Sequence, residues 1–319
     1  MNEELLDVVV RKRELQGDGV VVLDLSRRDG ADLPVFDAGA HIDIHLGQGL
    51  VRQYSLCGNP ADPSVYRLGV LKDPASRGGS ISVHDTLLEG CELKISAPRN
   101  LFPLATQARH SILLGGGIGV TPMIAMAYAL HQAGKSFELH YCGRERCRSA
   151  FLDELASAPF AANVFTHFDN EGPGQALDLA KVLGKGEAGV HMYTCGPGGF
   201  MDWVIQGALK QGYAETHIHK EYFQVEVDGS GAGFEVVAAR SGKTVQVAEG
   251  QSILAALAQV GIKIEISCEQ GVCGTCLCDV LEGEPDHRDV YLTDDEKAGN
   301  DQILVCCSRA KSKKLVLDI

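Results

Sequence analysis

The chain has 319 residues, enough for two or three domains, and a formal net charge of −13 at pH 7. This acidic balance argues against nucleic-acid binding, which requires a basic face. The N-terminus lacks the basic start and apolar core of a secretory signal, and the longest apolar stretch, residues 111–130, is interrupted by glycine and proline. We therefore expect a cytoplasmic protein with no nucleic-acid or membrane partner, in which clustered cysteines are more often metal ligands or catalytic than disulfides.

Residues 1–105 predict a β-rich domain. Short β-branched runs alternate there with Gly, Pro and Asp turns, a pattern typical of an antiparallel barrel or sandwich. The runs are LLDVVVRKREL, VVVLDLSRRD, HIDIHLG, VRQYSLCG and VYRLGVL. They are followed by SRGGSISVHDTLLEG, residues 76–90, which predicts a helix preceded by two glycines.

Two parts of this domain suit a phosphate and an aromatic ring. Arg52 and Tyr54 share one face of a strand, where arginine can bind a phosphate and tyrosine can lie against a ring. An ordinary barrel strand explains these two residues equally well. The glycines that precede Ser80, with Arg77 beside them, form a helix N-terminus suited to an anion.

Residues 106–226 predict a doubly wound α/β domain, because strands alternate with helices. Two glycine-rich turns, in LLGGGIGVTPM (113–123) and YTCGPGGFM (193–201), each follow a strand and precede a helix. The first turn does not match G-x-G-x-x-G, and any strand-to-helix turn needs glycine. It therefore indicates nucleotide binding only in combination with the second turn. Arg144, Arg146 and Arg148 end the next strand. They favour the 2′-phosphate of NADPH, unless they are a solvated loop, and Asp169 is a candidate ribose contact.

Residues 227–233 read as a linker, and residues 234–319 as an α+β domain that contains CEQGVCGTCLC. Cys268, Cys273 and Cys276 have the C-x4-C-x2-C spacing of a plant-type 2Fe–2S site. Zinc would prefer paired C-x2-C knuckles. The fourth ligand has two candidates, Cys306 and Cys307, which lie 29 and 30 intervening residues beyond Cys276. By strand alternation, Cys307 is expected to point to the opposite face from Cys306.

Four resemblances refine this interpretation. The cysteine segment resembles the plant-type ferredoxins, whose last gap is commonly 29 residues, and this implies that Cys306 is the fourth ligand. RxYS followed by RGGS resembles the flavin barrel of the ferredoxin–NADP reductase superfamily, and its single phosphate anchor implies FMN rather than FAD. The implied flavin contacts are Arg52, Tyr54, Ser55, Val70, Lys72, Arg77, Gly78, Gly79 and Ser80.

GGxGxTPM and CGPxxFM resemble the pyridine-nucleotide domain of the same superfamily. The resemblance implies that Thr121 and Cys195 flank the nicotinamide and that Phe223, in KEYF, lies against the flavin, although a core aromatic residue would suit that place as well. The other implied nucleotide contacts are Gly116, Gly117, Gly119, Pro122, Arg144, Asp169, Gly196 and Pro197. This resemblance implies NADH, in conflict with the three arginines.

The order of flavin barrel, nucleotide domain and C-terminal plant-type ferredoxin (β-grasp) domain resembles the phthalate dioxygenase reductase family, which includes vanillate demethylase reductases. It implies electron transfer from NADH through FMN and a 2Fe–2S cluster to a separate Rieske-type aromatic oxygenase or demethylase. A cytochrome P450 is an alternative acceptor. A redox sensor ranks last because the chain has no basic recognition segment. Asp294, Asp295 and Glu296 are either a docking face or a solvated charge run.

Overall fold

The computed structural model describes residues 5–47, 49–172, 174–225 and 227–319. They form two compact units, Met1–Glu221 and Tyr222–Ile319. The expected domain limits near residues 105 and 233 stay predictions, and the limit at residue 226 lies outside the described residues. Within the described ranges, no helix has both the length and the hydropathy needed to cross a membrane.

The first unit begins with an antiparallel barrel. Its elements are β1 (Leu6–Gln16), β2 (Val20–Arg27), β3 (Ala40–His45), β4 (Val51–Ser55), β5 (Tyr66–Leu71), α1 (Gly79–Thr86), β6 (Glu92–Ile95) and β7 (Arg99–Asn100). The strand order is β4-β3-β6-β1-β2-β5, and β7 pairs with β3. A bridge between Leu56, which follows β4, and Leu68 of β5 joins the two ends of this order. Closure leaves no long free edge and encloses the alternate apolar side chains of the strands.

A parallel sheet follows in the same unit. Its elements are β8 (His110–Gly116), α2 (Val120–Gln132), β9 (Ser136–Gly143), α3 (Leu152–Ser157), β10 (Val164–Phe168), α4 (Leu179–Leu183), β11 (Val190–Cys195), α5 (Gly198–Lys210) and β12 (Ile218–Glu221). The order β10-β9-β8-β11-β12 reverses direction between β8 and β11. Ligands of open α/β sheets bind beyond the carboxyl ends of the strands at such a reversal. The two predicted glycine turns lie at these two strand ends.

The second unit contains a mixed sheet and two helices. Its elements are β13 (Phe234–Ala238), β14 (Lys243–Val247), α6 (Ile253–Gln259), β15 (Leu277–Glu282), β16 (Pro285–Asp286), α7 (Asp294–Gly299), β17 (Gln302–Leu304), β18 (Arg309–Ala310) and β19 (Lys314–Leu317). The main order is β14-β13-β19-β15-β17, and β16 pairs with β18. Ser252 caps α6 by accepting a hydrogen bond from Ala255 N at 3.1 Å. The buried face of α6 packs on this sheet, and the cysteine loop leads into β15.

The glycine-rich segment before β13 is held by two arginines of the second unit. Arg288 donates hydrogen bonds to the carbonyls of Asp228 and Ser230, the latter at 2.7 Å. Arg309 donates to the carbonyl of Ala232 at 3.1 Å. The segment has no regular secondary structure, as its composition indicates, but its described residues are bound to the second unit.

Candidate functional site

The N-terminus of α1 forms an anion cradle on the barrel. Gly78 has a left-handed backbone, with φ of 92°. A Cβ at Gly79 would lie 2.5 Å from Cγ of Arg52, so glycine is required for the arginine to cross the start of the helix. The guanidinium is oriented by its donation to Val51 O at 2.7 Å and to Arg77 O at 3.0 Å. A cation fixed beside free helix N–H groups fits a phosphate group.

Three other predicted flavin residues lie around this cradle. Ser80 Oγ, in the first turn of α1, accepts a hydrogen bond from Asp73 N at 3.1 Å and keeps its own proton to donate. Val70 is fully buried in β5. Lys72 forms an exposed ion pair with Asp85 at 3.0 Å. The structure therefore brings Ser80 into the cradle but directs the Lys72 ammonium to a surface carboxylate.

The end of β4 meets the carboxyl end of the parallel sheet. Ser55 Oγ donates a hydrogen bond to Oε2 of Glu221 at 3.3 Å, and Glu221 is paired in register with Cys195. Burial raises the pKa of Glu221 to about 8, against the opposing effect of the Ser55 hydrogen bond. Burial also raises the pKa of the Cys195 thiol and of Tyr54 well above their ordinary values. At pH 7 these side chains form an uncharged, hydrogen-bonding group.

Glu221 could not be identified from the sequence. A lone acidic residue at the end of IHKE is indistinguishable from a solvated strand end. The pairing of β12 with β11 and the approach of Ser55 from the barrel place its carboxyl at a partly buried junction between the sheet and the barrel.

The two glycine turns of the parallel sheet pack backbone against backbone. A Cβ at Gly119 would lie 2.3 Å from Cys195 O and 2.6 Å from Gly196 N. A Cβ at Gly116 would lie 2.7 Å from the ring of Phe200 in α5. Glycine therefore allows the turns after β8 and β11 to touch, which forms one crevice lined by backbone groups. Such groups can approach a pyrophosphate closely.

Thr121 connects this crevice to the barrel. Its hydroxyl donates to Ile118 O at 2.9 Å, and the residue is almost completely buried. Its Cγ2 would lie 3.0 Å from a Cβ at Gly69 of β5, and the Phe151 ring approaches the same position at 2.6 Å. Pro122 lies in the first turn of α2, where the proline nitrogen has no hydrogen bond to lose. Thr121 is therefore held between β5 and the nucleotide turn.

The remaining predicted contacts lie in two other places. Arg144 O accepts a hydrogen bond from Asn170 N at 3.2 Å, so the arginine loop adjoins the turn that carries Asp169. Pro197 is the residue before α5, beside the second glycine turn. Phe223 belongs to the second unit, and its contact with a flavin stays a prediction.

The predicted cluster ligands form two pairs of buried thiols. The side chains of Cys268 and Cys273 interact with each other, as do those of Cys276 and Cys306. The first contact lowers the pKa of Cys273 and raises that of Cys268, because one thiol donates a hydrogen bond to the other sulfur. Among the residues described, no three His, Cys, Asp or Glu side chains converge as they would on one ion. Two thiol pairs fit a 2Fe–2S cluster, in which the two irons share four cysteines.

The backbone of the cysteine loop is curled around these sulfurs. Gln270 N donates to Cys268 Sγ at 3.3 Å, and Thr275 N donates to Cys273 Sγ at 3.4 Å. Gly274 has a φ of 75°, and a Cβ there would lie 2.3 Å from the ring of Tyr291. The loop thus needs glycine at this position, and its N–H groups stabilise negative charge on sulfur.

One expectation about the last two cysteines was wrong. Strand alternation would place Cys306 and Cys307 on opposite faces, but the chain leaves β17 at Leu304 and both cysteines lie in the turn that follows. Cys307 contacts Cys306, and its Sγ lies 2.6 Å from the position of a Cβ at Gly271. The choice of Cys306 as the fourth ligand stays a prediction, favoured by its contact with Cys276.

Comparisons with known proteins agree with this geometry. Residues 236–311 match the family described as a 2Fe-2S iron-sulfur cluster binding domain. A vanillate O-demethylase oxidoreductase of Pseudomonas putida is 50% identical over 319 residues, which cover 99% of this chain and 100% of that protein. The solved phthalate dioxygenase reductase, described as a modular structure for electron transfer from pyridine nucleotides to [2Fe–2S], is 38% identical with a TM-score of 0.76; the match covers 99% of this chain and 98% of that one. The predicted three-part fold is confirmed by this match.

A type IV self-sufficient cytochrome P450 monooxygenase also matches. Its structure is 37% identical, with a TM-score of 0.86, over 99% of this chain and 41% of the longer P450 chain. The same three-part arrangement therefore occurs both as a separate reductase and as part of a larger oxygenase chain.

Proposed function

We propose an electron path for this chain, which belongs to the phthalate dioxygenase reductase family and is the oxidoreductase component of an oxygenase system. Electrons pass from NADH through FMN to a 2Fe–2S cluster and then to a separate Rieske-type aromatic oxygenase or demethylase. The observation that carries the proposal is the contact between Ser55 of the barrel and Glu221 of the nucleotide sheet, beside Cys195. It supports the proposal because it brings Ser55, a predicted flavin contact, close to the strand end that carries Cys195, a predicted nicotinamide contact. The cytoplasmic location expected from the sequence is part of the proposal.

The side chains of this unit would bind the two cofactors and orient their rings. Arg52 and the first turn of α1 would hold the FMN phosphate, and their single cradle is the reason to prefer FMN to FAD. Tyr54 stays protonated, because burial raises its pKa, and can donate a hydrogen bond at the ring. Thr121 and Cys195 would seat the nicotinamide. Bound FMN supplies the conversion between hydride transfer and one-electron transfer.

Glu221 supplies a buried proton at the same point. Its pKa of about 8 keeps it protonated at neutral pH, and Ser55 fixes the carboxyl by donating to Oε2. No carboxylate charge is then buried beside Cys195 before the nucleotide binds. An ionised Glu221 there would carry a cost, because a partly buried carboxylate loses some of its hydration.

In the second unit, Cys268, Cys273, Cys276 and Cys306 would hold the cluster, which supplies one-electron transfer when bound. The loop N–H groups that donate to sulfur stabilise its negative charge. The thiols are only a few per cent exposed, so the surrounding side chains exclude water from them.

The match to a self-sufficient P450 favours one alternative, in which the acceptor is a cytochrome P450. The experiment compares the two acceptors with the same reduced protein. NADH-driven product formation is measured with a purified Rieske-type O-demethylase and, separately, with a bacterial P450. We expect coupled turnover with the Rieske-type enzyme to be faster by at least about tenfold; preferential reduction of the P450 would contradict the proposal.

A further inference from the structure

The arginine loop at the end of β9 carries less free positive charge than its sequence indicates. Arg146 Nε donates to Oε1 of Glu171 at 2.7 Å, and its Nη2 donates to Oε2 at 2.9 Å. Arg148 Nε lies 3.7 Å from a carboxylate oxygen of Asp18. Two of the three arginines at this edge of the sheet therefore face carboxylates of the same unit.

A ring contact fixes the orientation of the Arg146 guanidinium, in addition to its ion pair with Glu171. Its central carbon lies 4.4 Å from the centroid of the Phe168 ring, so the guanidinium stacks on an aromatic residue that is fully buried at the end of β10. Phe168 pairs in register with Gly143, the last residue of β9. A bidentate carboxylate and a ring face thus hold the guanidinium from two directions.

These contacts bear on coenzyme choice. The carboxyl ends of β9 and β10 are where a doubly wound sheet meets the adenosine ribose. A 2′-phosphate needs arginine donors, but Nε and Nη2 of Arg146 already donate to the Glu171 carboxylate. The Glu171 carboxylate would also repel a phosphate dianion, whereas a free 2′-hydroxyl can donate a hydrogen bond to a carboxylate.

We propose that Glu171 is a specificity-determining residue, which favours NADH over NADPH by holding Arg146 in a bidentate pair on Phe168. This inference rests on the proposed function, because it assumes that a pyridine nucleotide is the electron donor. The arginine-rich loop favours NADPH, whereas the family resemblance implies NADH. The pair removes this conflict, because Arg146, which stacks on Phe168 near the expected ribose site, is already bound to a carboxylate.

The test compares the holoenzyme with Glu171→Gln, which keeps the shape and removes the charge. Binding of NAD⁺ and NADP⁺ is measured by calorimetry, and kcat/KM for NADH and NADPH is measured with an artificial acceptor. Without the carboxylate, the Arg146 guanidinium is free to donate hydrogen bonds to a 2′-phosphate. We therefore expect the NADPH-to-NADH preference of the variant to rise by about tenfold. Glu171→Ala provides the same test if the glutamine variant folds poorly.

Two controls isolate the mechanism. The double variant Arg146→Ala with Glu171→Gln should lose the gain in NADP⁺ affinity, because the freed guanidinium supplies it. Glu187→Gln removes another exposed ion pair, 2.9 Å from Arg109, next to the amino ends of β8 and β11, and should leave the preference unchanged. An unchanged preference in both Glu171 variants, or a gain that persists without Arg146, would overturn the inference. Failure of the wild type to oxidise either nucleotide would contradict the proposed function instead, and the NADP⁺ affinities would still test Glu171.

Discussion

The two cofactor regions of the chain differ in what holds them in shape. At the ends of β8 and β11, the glycine turns are fixed by backbone packing within the protein, with Gly119 directly against the Cys195 carbonyl. In the cysteine loop, four buried thiols face one another in pairs, and buried thiolates are stable only with a cation between them. The predicted nucleotide crevice is therefore preformed, whereas we expect the cysteine loop to need its metal to complete it.

The largest effect should come from the fourth cluster ligand. Cys306→Ser should abolish the 2Fe–2S signal and reduce the iron content to background, because Cys276 loses its partner thiol. The measurement is iron analysis with EPR of dithionite-reduced protein. Cys307→Ser is the matched control and should keep the cluster; the reverse outcome would assign the iron to Cys307.

The preformed crevice should respond to a single methyl group. Gly119→Ala places a Cβ 2.3 Å from the Cys195 carbonyl oxygen and forces the two turns apart. A misplacement of about 1 Å at a reacting centre costs roughly 100-fold in rate, so NADH reduction of the flavin should fall by about that factor. Stopped-flow absorbance measures this rate, and dithionite should still reduce the cluster.

Gly299→Ala, at the end of α7 in the second unit, is the control, because a Cβ at that glycine would first approach the exposed side chain of Asp301, at 3.3 Å. It should reduce the flavin at close to the wild-type rate. Equal rates in the two alanine variants would mean that the turns are not held by the contact between Gly119 and Cys195.

Glu221 should make stability depend on pH. Its pKa is about 8 in the folded protein against an ordinary value of 4.5. Its contribution to stability is therefore fully present below pH 4.5 and is lost as the pH rises to about 8. Glu221→Gln should raise the melting temperature relative to the wild type by about 5 °C more at pH 8.5 than at pH 5. Thermal unfolding at the two pH values measures this difference, and an identical difference at both would place the titration elsewhere.

The smallest effect concerns partner docking by α7. Asp294 and Asp295 are exposed, whereas the Glu296 carboxylate accepts the Thr293 N–H at 2.8 Å and completes a capping box. Asp294→Asn with Asp295→Asn should therefore remove charge without uncapping the helix. We expect oxygenase reduction to slow by about twofold to fivefold at low salt, with a weaker salt dependence.

Glu249→Gln with Glu282→Gln, at two other exposed positions of the second unit, is the control for total charge. It should leave the salt dependence of oxygenase reduction unchanged. A salt dependence that is the same in all three proteins would show that α7 is merely solvated.

The sequence predicted local patterns well and long-range contacts poorly. Strand alternation and glycine spacing located the barrel, the parallel sheet and both glycine-rich turns, because these features depend on neighbouring residues. Glu221 was missed because its burial arises from β11 and a barrel strand that are distant in sequence. The ion pair between Arg146 and Glu171 was not foreseen for the same reason, since Glu171 follows the next strand. The prediction that Cys306 and Cys307 point to opposite faces assumed a strand, but the chain turns after Leu304.

The most direct measurement is an anaerobic titration of the wild-type protein with NADH, followed by visible absorbance and EPR on the same sample. We predict that NADH bleaches the flavin absorbance and lowers the iron–sulfur absorbance with it. The EPR signal of a reduced 2Fe–2S cluster should appear in the same sample. Flavin bleaching in an iron-free, EPR-silent protein would contradict the electron path from the nucleotide crevice to the cysteine loop.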